Sequence, residues 1–329
     1  MSGNLLELKN LKVIFPSEMG VVKAVEGIDL DIKQGECVAL VGESGCGKSV
    51  TSLSIMRLLN TPPAIIKVDK ISLDGEDISK FSESKMEEIR GRQISMIFQD
   101  AMTALNPVMT VGKQIDEVFL KHGKMSKKEA RINTVKALKL VGIPEPKSRA
   151  KSFPHQLSGG LRQRVLIAMA FACMPKLIIA DEPTTALDVT IQAQVLNVLS
   201  DMQKSHKVSL LLITHDLSVV AHTADTVYVM YSGKIVEKAK VEDLFNLPHH
   251  PYTEGLMGSI PRLSDTTKHF VQIPDQVPHP MFKPTGCYFH PRCKYATEKC
   301  KKEMPPLVEL ENGRLIRCFY PLNMSEVKK

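Results

Sequence analysis

The sequence predicts an α/β architecture: a mainly parallel sheet core, an antiparallel β portion at the start, a helical portion and a small cysteine-rich C-terminal extension. Three observations carry this. Short apolar runs alternate with helical stretches through most of the chain. One such run leads through a glycine-rich loop into a helix. After about Leu256 the composition turns to Pro, His, Lys and Cys with little periodicity, and seven of the twenty prolines fall between Pro274 and Pro306.

Taken in order, residues 5–15 and 21–32 alternate apolar and polar side chains and read as antiparallel strands that end at Gln34-Gly35. Residues 37–41 form a continuous apolar run, as a strand covered on both faces requires. A helical stretch extends from Lys48 to about Leu59. Residues 71–73 meet an Asp74-Gly75 turn, and 94–98 form another short buried strand. From about 110 to 171 the pattern is mostly helical, broken near Pro144, Pro146 and Pro154. Strands at 177–180, 210–214 and 226–231 follow, separated by helices. The domain boundary is set near 255, giving a domain at 1–255, its helical portion at about 100–171, and an extension at 256–329.

Apolar content of 43% and charged content of 24% predict an ordinary globular core. No apolar stretch approaches the ~18–20 residues of a spanning helix, and the first ten residues lack the basic-then-apolar pattern of a secretory signal. Of the net charge of +7, residues 262–329 supply +5, from twelve Lys/Arg against seven Asp/Glu. No long basic run interleaves with aromatics and there is no Trp, so a solvated basic surface is favoured over nucleic-acid binding.

The chemistry concentrates in ordered motifs. Gly42-Glu43-Ser44-Gly45-Cys46-Gly47-Lys48-Ser49 fits the phosphate-binding pattern G-x-x-x-x-G-K-[ST], between a buried strand and a helix. Glycines let successive backbone N–H groups face phosphate oxygens, and the helix N-terminus adds partial positive charge. Lys48 is placed to reach the β- and γ-phosphates and Ser49 to ligate Mg²⁺. The apolar run 177–180 ends in Asp181-Glu182, the Walker B arrangement, with Asp181 serving Mg²⁺ and Glu182 polarising the attacking water. Leu157-Ser158-Gly159-Gly160 stands before a helical stretch, about two dozen residues ahead of Asp181.

That combination resembles the ABC ATPases, in which Ser158, Gly159 and Gly160 match the signature motif. The resemblance implies a P-loop ABC ATPase fold with a RecA-like core, an antiparallel β subdomain and a helical subdomain. It also implies that the signature of one subunit covers the γ-phosphate held by the P-loop of another. By the same likeness Gln99 matches the Q-loop and a Mg²⁺ contact, Asp188 the D-loop, His215 the switch histidine, and Phe15 the aromatic that stacks on adenine. Gly42, Ser44, Gly45, Cys46, Gly47, Lys48, Ser49 and Val50 would line ATP. Leu161 stands where the common signature has Gln, an apolar choice that resembles the peptide-importer subfamily.

Resemblance to the oligopeptide/dipeptide importer ATPases spans nearly the whole chain. It includes Ala104-Leu105-Asn106-Pro107, Phe153-Pro154-His155-Gln156, His250-Pro251-Tyr252-Thr253, and Gly286-Cys287-Tyr288-Phe289-His290-Pro291-Arg292-Cys293. This implies a peripheral ATPase on the cytoplasmic face of a bacterial or archaeal membrane. Its partners would be two permease subunits and a second, different ATPase subunit, with an extracytoplasmic binding protein acting indirectly. Nickel importers of the same subfamily and nucleic-acid-associated ABC proteins are the alternatives. Cys287, Cys293, Cys300 and Cys318 lack the close C-x2–4-C pairs of structural zinc sites. A [4Fe–4S] cluster, which the subfamily resemblance implies, stands beside zinc and free thiols as readings. On the cluster reading, Cys300→Ser is expected to remove the cluster while leaving ATP binding at the remote P-loop mostly intact.

Overall fold

The structure is a computed structural model, and it describes residues 3–185, 187–259 and 273–324. The chain divides into two compact units. The first comprises residues 1–5, 32–36 and 73–213; the second comprises 6–31, 37–72 and 214–329.

In the first unit three parallel strands lie in the order Ser209–Thr214, Leu177–Asp181, Ile94–Ile97. Every residue of the first two is buried, which is why these segments show no polar alternation. Helices Val111–Lys121, Lys127–Leu140 and Gly159–Phe171 form the helical region. Ser126 and Glu129 close a capping box at the start of the second. Breaks fall where Pro146 opens a one-turn helix and Pro154 a 3₁₀ turn.

In the second unit the strands Gly20–Lys33, Asn4–Ser17 and Lys70–Leu73 lie side by side, and Ile65–Lys67 pairs antiparallel with Asn4–Ser17. Ile28 and Leu30 face inward while Asp29 faces out, the period of two that a half-covered strand requires. A further sheet runs Val308–Glu309, Leu315–Ile316, Lys234–Lys240, Thr226–Tyr231, Cys37–Val41. Cys37–Val41 runs parallel to Thr226–Tyr231, and the other neighbours are antiparallel.

The C-terminal segment therefore adds two short strands to this sheet through the edge of Lys234–Lys240, an arrangement the sequence reading does not include. The helix expected to reach about Leu59 ends at Ile55. Arg57 takes a left-handed φ of 51° and Leu58 donates its N–H back to Leu53 O at 2.8 Å. This is a Schellman-like stop with arginine in the place glycine usually takes.

Candidate functional site

The phosphate loop follows Cys37–Val41 and opens the helix Lys48–Ile55. Two glycines are fixed by close approach as well as by conformation. Gly42 has φ +155°, and a Cβ there would lie 2.2 Å from Met230 O. Gly47 has φ +109°, and a Cβ would lie 2.5 Å from Ala24 O. No other residue fits either position without moving backbone. Lys48 is buried, and its ammonium donates to Gly42 O at 2.7 Å and Glu43 O at 3.1 Å. It rests on the loop itself, at the helix N-terminus where anions bind. Cys46 is buried beside it, and burial raises its thiol pKa.

Glu43, a variable position of the motif, is held from three sides. Its carbonyl accepts from Lys48, its N–H donates to Tyr252 Oη at 2.9 Å, and its carboxylate accepts two bonds from Arg292. Tyr252 and Arg292 appear in the sequence reading only within segments of family likeness, with no role. The expectation of a tail remote from the P-loop is overturned by these bonds. The sequence separation of 249 between Glu43 and Arg292 hid the contact from any local pattern.

In the first unit, Leu177–Asp181 delivers Asp181 buried and Glu182 just beyond it, partly exposed. Gln99 Nε2 donates to Glu182 Oε2 at 3.0 Å, and Thr185 Oγ1 donates to the same oxygen at 3.0 Å. Glu182 N donates to Ile213 O at 2.8 Å, and the residue sits at φ +45°. A left-handed glutamate costs of order 1–3 kcal/mol and persists where its surroundings over-determine it. Gln99 and Glu182, 83 residues apart, are thus brought together.

Ser158 caps the helix Gly159–Phe171, its hydroxyl accepting from Leu161 N at 3.4 Å. A Cβ on Gly160 would lie 2.4 Å from Ile191 Cγ2, so this glycine is needed for packing against the helix Val189–His206. Asp188 caps that helix by accepting from Ile191 N at 2.9 Å. In the second unit, His215 is exposed between Thr214 and the helix Leu217–Thr223, which Asp216 caps. Phe15 is half-buried on the Asn4–Ser17 strand.

Residues 25–185 match the family described as ABC transporter, and residues 236–300 match the family described as oligopeptide/dipeptide transporter, C-terminal region. The chain is 51% identical over 315 residues to the oligopeptide transport ATP-binding protein AppD of Bacillus subtilis, covering 96% of each. The chain belongs to the ATP-binding subunits of ABC transporters. It is also 46% identical over 319 residues to the dipeptide transport ATP-binding protein DppD of Escherichia coli, covering 97% of each. Among solved structures, the dimeric ATP-binding cassette MJ0796 bound to ADP and Pi matches with a TM-score of 0.63 and 28% identity, over 72% of this chain and 98% of that one. The cbiO1 subunit from Clostridium perfringens matches with a TM-score of 0.62 and 28% identity, over 74% and 91%. The P-loop ABC ATPase fold and ATP hydrolysis follow from this membership. ATP and Mg²⁺ are the ligands expected of such an ABC ATPase. Among the described residues no helix is long and apolar enough to cross a membrane.

The four tail cysteines line one recess, together with His250, Phe289, His290, Tyr295 and Tyr320. Burial pushes the Cys287 thiol up to about 11 and the Cys318 thiol up to about 12, and the neighbouring sulfurs push the same way. Burial raises Cys293 as well. Burial thus disfavours the thiolate form at Cys287, Cys293 and Cys318. Among the described residues no group of three or more His, Cys, Asp or Glu is arranged to hold one metal ion.

Proposed function

We propose that this chain is the ATP-hydrolysing subunit of a peptide importer, working at a composite site shared with a second, homologous ATPase subunit. The observation that carries the catalytic assignment is the Glu182 carboxylate, fixed by Gln99 and Thr185 on a strained backbone next to buried Asp181. In this reading residues 42 and 44–50 hold the phosphates by backbone N–H groups, and Lys48 counters their charge. Phe15 stacks on adenine. Ser49, Asp181 and Gln99 would hold Mg²⁺, whose chemistry is to neutralise charge on the β- and γ-phosphates. Glu182 orients water and accepts its proton, and His215 contacts the γ-phosphate. Ser158, Gly159, Gly160 and Asp188 serve the partner's nucleotide, because electrostatic stabilisation acts best in a closed, dry site.

Peptide as cargo rests on the names of the relatives and on the match at residues 236–300. With it come two permease subunits, an external binding protein and peripheral attachment at the cytoplasmic membrane face. The 256–329 extension, in the same reading, holds a [4Fe–4S] cluster through Cys287, Cys293, Cys300 and Cys318. A cluster distributes four thiolates over several irons, whereas a single zinc draws all ligands to about 2.3 Å from one centre. What supports the cluster reading is that the four cysteines line one recess.

Glu182→Gln tests the catalytic core. ATP binding should persist while turnover in the assembled transporter falls ~10²–10⁴-fold, the usual cost of losing a general base. Near-normal turnover would sink the assignment.

A further inference from the structure

A phosphate-binding loop gains nothing from a carboxylate of its own, yet Glu43 follows the first glycine of the motif. Its charge is met by the tail. Arg292 Nη1 donates to Glu43 Oε2 at 2.6 Å and Nη2 donates to Oε1 at 2.9 Å. This is the parallel two-bond geometry in which arginine matches a carboxylate best. The Arg292 side chain is 2% exposed, so the pair is fixed from its side.

Three further contacts aim the guanidinium. Nε donates to Pro274 O at 2.8 Å, Nη1 lies 3.4 Å from Tyr231 Oη, and the guanidinium carbon stands 5.9 Å from the centre of the Tyr231 ring. Phe289, three residues earlier, meets the Tyr231 ring edge-on at 5.2 Å and the Tyr252 ring at 5.4 Å. Tyr252 in turn accepts the Glu43 N–H. One aromatic block therefore carries both handles on Glu43, and the recess lined by the four cysteines is built from the same Phe289.

We propose that Arg292 and Tyr252 are positioning residues of the nucleotide site: the C-terminal extension neutralises and anchors Glu43, and so sets the affinity of the P-loop for ATP. The inference rests on the reading of residues 42–49 as that loop. Releasing Arg292 would leave an uncompensated carboxylate beside a site for a polyanion and free the residue whose carbonyl holds Lys48. Removing one partner of such a pair costs more than removing both, because the charge left behind is the damage.

The test is equilibrium binding of a fluorescent ATP analogue to the full-length chain, with KM and kcat for ATP in the assembled transporter. Arg292→Met should weaken binding about tenfold, within the usual range of coupling between linked sites, and should raise KM with kcat changed less than about twofold. Arg292→Met combined with Glu43→Gln should recover most of the lost affinity, and Arg292→Lys should retain most of it. Unchanged affinity in Arg292→Met would overturn the proposal, as would a loss that Glu43→Gln does not relieve or that Arg292→Lys shares in full. Lys48→Ala separates the two layers. If it too binds the analogue normally, the P-loop reading fails; if it abolishes binding while Arg292→Met is silent, only the role of Arg292 fails.

Discussion

The phosphate loop and the cysteine-rich extension lie in the same unit but are specified by opposite means. Eight consecutive residues make the loop, and its working groups are backbone N–H donors, so its requirements fall on glycines that admit the chain path. Gly42 and Gly47 leave no room for a Cβ. The extension gathers its working groups from Cys287 to Cys318 and adds His250 from a helix N-cap. It is built from turns, a five-residue helix and two-residue strands. Backbone geometry is a local property of sequence, whereas a side-chain cluster exists only once distant segments have met. The loop should therefore fail through steric change at one residue, and the extension through loss of a shared centre.

Gly47→Ala is the most damaging test on the loop side. The new methyl would enter the space of Ala24 O at a φ of +109°, and the start of the Lys48–Ile55 helix must shift. Strain of this kind is of order 1–3 kcal/mol, so ATP affinity should fall roughly tenfold to a hundredfold in a chain that still folds. Calorimetric titration with ATP reads it. Affinity within twofold of the unaltered chain would show that the loop is less constrained than its contacts imply.

Much of this contrast is already present in what the sequence discloses. Cys37–Val41 and Thr226–Tyr231 are legible to the residue because each is an unbroken apolar run between turns. The motifs at Gly42, Ser158 and Asp181 are legible because their chemistry demands rare residues at fixed spacing. Lys234–Lys240 is not legible as a strand, since three lysines and a glutamate mask Ile235, Val236 and Ala239. The glutamate, Glu237, is fully buried, where it accepts the N–H groups of His249 and His250 and a bond from Arg314. No local pattern distinguishes such a carboxylate from a solvated one. The Gln99–Glu182 bond and the Arg292–Glu43 pair are hidden for a related reason: each joins residues that only the folded sheet brings together.

Cys300→Ser acts on the other side of the comparison, with an intermediate effect on nucleotide binding. Cys300 is buried, and its carbonyl accepts the Cys287 N–H at 2.8 Å, so it ties two arms of the extension together. Anaerobically purified protein should contain iron and sulfide and absorb near ~400 nm, as thiolate-ligated clusters do. The variant should lose all three signs, and proteolysis should cut the extension faster. Because a loosened extension releases Arg292, ATP affinity should fall about tenfold. Stoichiometric zinc without sulfide would replace the cluster by a single-ion site. A cluster-free variant with unchanged affinity would uncouple the cluster from the loop.

The smallest expected effect on nucleotide binding separates general docking of the extension from the particular charge contact at Glu43. Lys283 is another cation of the extension, and its side chain is 7% exposed. Its ammonium donates to Lys23 O, Glu26 Oε1 and Ser232 O at 2.6–2.7 Å. Tyr288 Oη also donates to the Glu26 carboxylate, so removal of Lys283 does not leave that carboxylate without a donor. Hydrogen bonds to a charged group contribute about 1.5–3 kcal/mol each before the replacement side chain recovers packing. Lys283→Met should therefore cost roughly 2 kcal/mol in the unfolding of this unit, read as a lower denaturation midpoint. None of these bonds touches Glu43, so ATP affinity should stay within about twofold. If Lys283→Met weakens ATP binding as much as Arg292→Met, the loop senses whether the extension is seated rather than the charge at Glu43. If affinity holds while stability falls, the guanidinium–carboxylate pair is the specific link between the extension and the phosphate loop.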